Sequence, residues 1–100
     1  MEREDGLEAL RGYRDRINGL DLRILELLNE RTRIVEEIGC VKRHLDLPIY
    51  EPRREDEVFE NVTTHNHGPL THDGLRRIFE RIIDEMRNVQ RLRMASKDDA

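Results

Sequence analysis

Aromatic residues, cysteine, proline and long apolar runs are all scarce in this chain of 100 residues. Aromatics make up only 4% of the sequence and tryptophan is absent, whereas charged residues account for 40%. No segment stays apolar over the roughly 18 residues that a membrane-spanning helix needs. This composition is typical of a strongly helical protein and predicts a soluble domain without a membrane span.

The single cysteine, Cys40, excludes a disulfide within the chain and a cluster of thiolates for zinc. The acidic start "MEREDGLEAL" lacks the basic region and the apolar run of a signal peptide. Both features lead us to expect a cytoplasmic protein. The net charge of −4 argues against a general affinity for nucleic acid or anionic membranes, so any bound anion must be held by locally placed cations.

Residues that break helices occur in two clusters, "DLPIYEP" at 46–52 and "HNHGP" at 65–69. They leave room for three helices and for no convincing strand, so we predict an all-α fold in a single domain, 1–100. The expected helices cover about residues 7–45, 51–64 and 71–94, between frayed termini. Pro52 suits a first helical turn with Glu51 as its cap, and Thr71 is the expected N-cap of the third helix.

The first predicted helix carries an apolar seam in steps of three and four residues, a sustained heptad register. Cations interrupt this seam at Arg14, Arg31 and Lys42. A helix over 7–45 is roughly 58 Å long, whereas a compact chain of this size has a radius of gyration of about 13 Å. We therefore expect a second copy of the chain to cover the seam in a two-fold homodimer.

Two such helices that cross antiparallel near residue 26 place Arg14 of one chain between Arg31 and Lys42 of the other. Three cations in an apolar interior are costly unless an anion completes the cluster, so the pattern predicts a ligand with at least one carboxylate or phosphate. Taken one at a time, each cation is better explained as structural, because polar seam residues set register and long side chains reach solvent.

The chain resembles the chorismate mutases of the all-helical AroQ class from about Leu7 to Leu92. The resemblance is carried by "LRGYRDRINGLD", "LLNERTRIVEEIGCVK", "LPIYEPRREDEVFE" and "IFERIIDEMRNVQ". It implies an intertwined homodimer of three-helix chains that rearranges chorismate to prephenate without cofactor or metal. The segment "NHGPL" is similar to the branch of the class fused or bound to DAHP synthase, the first enzyme of the shikimate pathway, which implies a complex with that enzyme.

The resemblance also implies roles for the cations of the first helix and for one amide. Arg14 matches the arginine that each site borrows from the partner chain, and Arg31 matches the arginine that binds a substrate carboxylate. Lys42 matches the lysine that contacts a carboxylate and the ether oxygen of the substrate. Gln90 matches the second group that reaches this oxygen.

The remaining residues implied by the resemblance lie on the second and third helices. Glu51 matches the acidic residue that opens the second helix. Arg54 and Glu55 match the pair that follows, in which the glutamate holds the ring hydroxyl and so takes part in catalysis with Lys42, Gln90 and Arg31. Met86 stands where a small hydroxyl residue can assist a substrate carboxylate; the loss of one neutral hydrogen bond, about 1 kcal/mol, predicts weaker substrate binding.

Other polar patterns have simpler explanations. Histidines His65, His67 and His72 surround a loop and are expected to be solvated rather than metal-bound. The arginines of the last helix are interleaved with acids, which favours an ion-paired, solvated face over a nucleic-acid surface. These arginines are Arg76, Arg77, Arg81, Arg87, Arg91 and Arg93. Two alternatives stay open: an isochorismate pyruvate lyase on the same scaffold, and a non-catalytic regulatory or dimerisation module for a shikimate-pathway enzyme.

Overall fold

The computed structural model describes residues 1–95, which form three helices and no strand. Helix α1 covers Arg3–Leu45, α2 covers Pro52–Thr64 and α3 covers His72–Ala95. The predicted all-α fold is confirmed. The chain divides into two compact units, Met1–Arg33 and Ile34–Ala100. That it is one domain stays a prediction.

The helix ends differ from the expected ones by a few residues. Helix α1 begins at Arg3 rather than near residue 7, so the last three residues of "MERED" are helical and only Met1 and Glu2 precede the helix. Glu4 and Asp5 lie in its first turn, where negative charge is favourable beside the helix dipole. Helix α2 begins one residue later than expected, after Glu51. The fraying predicted for "SKDDA" lies outside the described residues.

Helix α1 ends in a Schellman motif. The amide of Leu47 donates to the carbonyl of Lys42 at 2.8 Å, and the amide of Asp46 donates to the carbonyl of Arg43 at 3.3 Å. Asp46 takes the left-handed conformation that this cap requires, with φ 58°. The motif turns the chain back at the end of the helix, toward the side chain of Lys42.

The start of α3 is fixed by local hydrogen bonds. The amide of Gly74 donates to the hydroxyl of Thr71 at 3.0 Å, which confirms Thr71 as the N-cap. In the preceding loop, which contains a cis Gly68–Pro69 bond, the side-chain amide of Asn66 donates to the carbonyl of Leu70 at 2.8 Å. The breaker cluster at 65–69 is thus an ordered connection between α2 and α3.

The unit that begins at Ile34 holds the buried side chains. Among its described residues, 34–95, four of these are apolar and two are polar: Val35, Phe59, Ile83, Met86, Lys42 and Gln90. Helix α2 packs on α3, with the guanidinium of Arg76 4.2 Å from the centre of the Phe59 ring. A Cβ on Gly39 would lie 3.4 Å from Cβ of Arg93, so the glycine lets α1 approach α3 closely. Polar residues at the centre of this core mark the candidate site.

The unit Met1–Arg33, all of which the structure describes, has no buried side chain. Its large apolar residues from Leu7 to Leu27 are 45% to 64% exposed. They are Leu7, Leu10, Tyr13, Ile17, Leu20, Leu22, Ile24, Leu25 and Leu27. Over residues 1–95, no helix combines the length and apolarity needed to cross a bilayer.

Candidate active site

Lys42 is a buried ammonium group with every proton engaged. Its side chain is only about 7% exposed, and its Nζ lies 2.7 Å from Oε1 of Glu51. Nζ also donates to Oε1 of Gln90 at 2.8 Å and to the carbonyl of Ile49 at 3.0 Å. Since a lysine has three N–H donors, these acceptors account for all of them and offset the cost of burying the charge.

Local structure explains why these acceptors reach Lys42. The Schellman motif at the end of α1 folds the following loop back, which brings the carbonyl of Ile49 to the ammonium group. Glu51 holds the N-cap position of α2, yet its side chain makes no capping hydrogen bond. Since this carboxylate does not cap its own helix, it is available to pair with Lys42.

Gln90 completes this cluster from α3. Its side-chain carbonyl oxygen accepts from Lys42, so its NH2 group is the part left to donate to a ligand. Met86 is buried one turn earlier on the same helix. The structure therefore brings together three of the predicted site residues, Lys42, Glu51 and Gln90.

Glu55 lies in a second ion pair that the sequence analysis missed. Both its oxygens accept from Arg87, Oε2 from Nε at 2.8 Å and Oε1 from Nη2 at 3.1 Å. The side chains of Arg87 and Glu55 are only 27% and 19% exposed, so the solvated face predicted for the α3 arginines is wrong at Arg87. A signal was present, because Arg87 follows buried Ile83 by four residues and precedes Gln90 by three.

The pKa of the Arg87 guanidinium is raised, chiefly by its hydrogen bond with Glu55, against an opposing effect of burial. A raised pKa means that the folded chain holds this proton more tightly than the unfolded chain does. The resulting stabilisation is complete below the pKa of the unfolded state and is lost only as pH rises through the higher folded value. Arg87 therefore keeps its charge throughout the neutral range.

Other arginines of α3 do form the predicted ion-paired surface. Arg81 lies 2.7 Å from Glu85, and Arg76 lies 3.4 Å from Glu80, all on exposed side chains. Such pairs contribute little to stability, typically about 0.3–0.5 kcal/mol. They provide matched controls for Arg87, which differs from them by being half-buried.

The remaining predicted site residues are Arg54, Arg14 and Arg31. Arg54 is exposed and pairs with Glu57 at 3.4 Å. In the unit Met1–Arg33, Arg14 is exposed and Arg31 is half-buried. Their roles stay predictions.

The chemistry available at Lys42 is electrostatic. A buried ammonium group and the amide of Gln90, held 2.8 Å apart, form a pair of donors fixed before any ligand arrives. Preorganised donors of this kind stabilise negative charge that develops on an oxygen atom during a reaction. The half-exposed carboxylate of Glu51 is the acceptor that a ligand can most easily replace.

Comparisons with known proteins show the family to which the chain belongs. The sequence pattern of the family described as chorismate mutase type II matches residues 13–91. A bifunctional chorismate mutase/prephenate dehydratase of Aquifex aeolicus is 37% identical over 81 residues, which cover 77% of this chain and 22% of that protein. A chorismate mutase of Methanocaldococcus jannaschii is 26% identical, over 85% of this chain and 87% of that protein.

Solved structures agree with the sequence relatives. A chorismate mutase from Thermus thermophilus (form II) is 38% identical with a TM-score of 0.73, covering 85% of this chain and 93% of that chain. The chorismate mutase from Helicobacter pylori, solved in complex with prephenate, is 25% identical with a TM-score of 0.82, covering 88% and 96%.

The chain spans only 22% to 23% of the length of the bifunctional relatives it matches. The comparisons support the mutase and do not support the lyase or the non-catalytic module. The branch associated with DAHP synthase stays a prediction. With a matched family pattern over residues 13–91 and related structures of the same three-helix fold, the chain belongs to the type II chorismate mutase family.

Proposed function

We propose that this chain is a chorismate mutase that converts chorismate to prephenate in the biosynthesis of phenylalanine and tyrosine. The observation that carries the proposal is the buried contact between Lys42 and Gln90 in a member of this family. The reaction is an intramolecular rearrangement in which the ether carbon–oxygen bond breaks as a carbon–carbon bond forms. Product and substrate are isomers, and no proton is transferred.

Lys42 and Gln90 act on the ether oxygen, which gains negative charge as its bond to carbon breaks. One such preorganised donor typically contributes about 3 kcal/mol to the stability of a transition state. Substrate binding frees one donor of Lys42 by displacing Glu51, because that side chain is 49% exposed and bound through a single contact. The carbonyl of Ile49 is main chain and stays in place.

The other site residues hold the substrate in its reactive conformation. Arg31 and Arg14 of the partner subunit bind the two carboxylates and keep the reacting carbons close, an orientation effect. Glu55 accepts from the ring hydroxyl. Arg54 and Met86 border the substrate, with Met86 contributing no hydrogen bond to a carboxylate.

A homodimer is part of this proposal. Its support is the row of half-exposed apolar residues in Met1–Arg33, which a second copy of the chain would bury. Full burial of a leucine or isoleucine side chain is worth about 1.5–3 kcal/mol, and roughly half of that remains available at each residue of the row, which favours association.

We further propose a cytoplasmic location, which the single cysteine supports, and an association with DAHP synthase, which rests on the segment "NHGPL". The association predicts that kcat/KM for chorismate rises when purified DAHP synthase is added. An unchanged kcat/KM, together with no co-elution in gel filtration, would contradict it.

The test of the activity is the loss of chorismate absorbance on addition of the purified chain, with prephenate identified as the product. Lys42→Met should lower kcat by about 10²–10³-fold, since it removes a donor used in the transition state. The matched control is Arg81→Met, which removes an exposed cation paired at the same 2.7 Å and should keep full activity.

Failure of the folded wild-type chain to consume chorismate would contradict the proposal. Release of pyruvate from isochorismate, without prephenate formation from chorismate, would replace the mutase with the lyase. Equal kcat for wild type and Lys42→Met would remove Lys42 from the mechanism.

A further inference from the structure

The two acids at the start of α2 are held in different ways. Glu51 pairs with Lys42 through one oxygen at 2.7 Å and is 49% exposed. Glu55, one turn later, is 19% exposed and has each oxygen bound by a separate N–H of Arg87. A single contact to an ammonium group leaves a carboxylate able to rotate, whereas a paired contact to a guanidinium fixes its plane.

Arg87 is itself held on two further sides. Its Nη2 lies 3.1 Å from Oδ1 of Asp84, one turn earlier on α3. Its Cζ lies 5.6 Å from the centre of the Tyr50 ring, next to the start of α2. A guanidinium near an aromatic face is stabilised by the charge distribution of the ring. The position of Glu55 is therefore set from α3 through Arg87 as well as by its own helix.

Residues on one turn of α3 position both Glu51 and Glu55. Gln90 binds Lys42, which binds Glu51, and Arg87, three residues earlier, binds Glu55 directly. Each carboxylate oxygen can accept more than one hydrogen bond, so the pairing with Arg87 leaves Glu55 able to accept a hydroxyl group.

We infer that Arg87 is a positioning residue that fixes the Glu55 carboxylate for the ring hydroxyl of the substrate and so sets the preference for a hydroxylated ring. The inference rests on the proposed function. It assigns Arg87 no contact with the reacting atoms; its effect passes through Glu55. It separates Arg87 from Arg81, whose pair with Glu85 lies on the exposed surface of α3.

The experiment compares two substrates, chorismate and its analogue with hydrogen in place of the ring hydroxyl. The quantity measured is the ratio of their kcat/KM values. Arg87→Met should lower this preference for chorismate by roughly 10–100-fold, the effect of weakening one hydrogen bond to a charged group. Arg87→Lys keeps the charge but not the paired geometry and should lose only part of the preference. Arg81→Met should leave it at the wild-type value.

A second measurement asks whether Arg87 acts through Glu55. In a Glu55→Gln background, adding Arg87→Met should change the preference by less than about twofold, because coupled residues are not additive. A further loss as large as that in the wild-type background would overturn the inference. So would an Arg87→Met chain that melts at a lower temperature yet keeps the full preference, which is the result expected of a purely structural ion pair.

Folding and function can be told apart in this design. If Arg87→Met is unfolded at the assay temperature, Arg87→Lys supplies the test, and an unchanged preference in that variant overturns the inference. If the wild-type chain does not convert chorismate, the proposed function and this inference both fail. If it does and the variants keep their preference, only the role of Arg87 fails.

Discussion

The side-chain oxygen and nitrogen of Gln90 have different proposed roles, and two substitutions can separate the effects of losing each atom. Its oxygen accepts from Lys42, while its nitrogen is the donor proposed for the ether oxygen. Gln90→Glu keeps an acceptor for Lys42 and loses the donor, so kcat should fall by about 10²-fold with little change in melting temperature. Gln90→Leu loses both and should also destabilise the fold by about 1–3 kcal/mol, since Lys42 is left with an unfilled donor.

These predictions are checked by steady-state kinetics with chorismate and by thermal melting followed by circular dichroism. Retention of wild-type kcat in Gln90→Glu would mean that Gln90 only holds Lys42 in place. A matching melting temperature for Gln90→Leu would mean that water replaces the lost acceptor.

At the scale of single residues, the sequence predicted a site residue where a polar side chain stood at a position expected to be apolar. A lysine on an apolar seam pointed to the site by its position, Gln90 was implied by the family resemblance, and the structure joins the two at 2.8 Å. Arg87 carried a weaker signal, because its spacing from Ile83 and Gln90 places it on the same side of α3, yet it is also one of six arginines alternating with acids on that helix. Which of them lies against α2 depends on how the two helices pack, and composition alone does not contain that information.

At the scale of the helix, substitutions at Asp46 test how much the C-terminal cap of α1 contributes to stability. Asp46 has φ 58°, a conformation that costs most residues with a Cβ roughly 1–2 kcal/mol, aspartate less and glycine almost nothing. Asp46→Val should lower the stability by about that amount, since a branched side chain is poorly tolerated there. Asp46→Gly is the matched control, because it removes the same carboxylate, and it should be at least as stable as the wild type in thermal melts.

Equal melting temperatures for the two variants would show that the turn does not depend on this conformation. Asp46→Val should also raise the KM for chorismate, because the turn delivers the carbonyl of Ile49 to Lys42. An unchanged KM would show that Lys42 is placed without that carbonyl.

The position of a helix end could be predicted only where a single capping side chain determines it. Thr71 was identified from its residue type, and its hydroxyl makes the expected bond to Gly74. The start of α1 was placed too late, because the apolar seam begins at Leu7, whereas Glu4 and Asp5 extend the helix by charge rather than by packing. Periodicity locates the buried part of a helix and says little about its polar ends.

At the scale of the whole molecule, the shared site can be tested by mixing inactive chains. Arg14→Ala and Arg31→Ala should each abolish most activity alone. In a mixed dimer one of the two sites contains neither change, so random mixing should restore about a quarter of the wild-type activity. The measurement is chorismate turnover after the two variants have been unfolded and refolded together.

Co-purification of one variant with an affinity-tagged copy of the other shows whether mixed dimers have formed. If they form and remain inactive, Arg14 does not serve the partner's site. If either variant alone is fully active, that arginine is not needed for binding a carboxylate.

The half-exposed apolar row of Met1–Arg33 makes the activity of this protein sensitive to its concentration and to apolar surfaces. If each active site contains one residue from the partner subunit, the specific activity depends on the protein concentration. It falls on dilution, because the subunits separate. Turnover measured in nanomolar and micromolar samples would then differ for the same preparation. Detergents or surfaces that bind the leucines and isoleucines of this row would prevent dimerisation. They would therefore inactivate the chain without unfolding it.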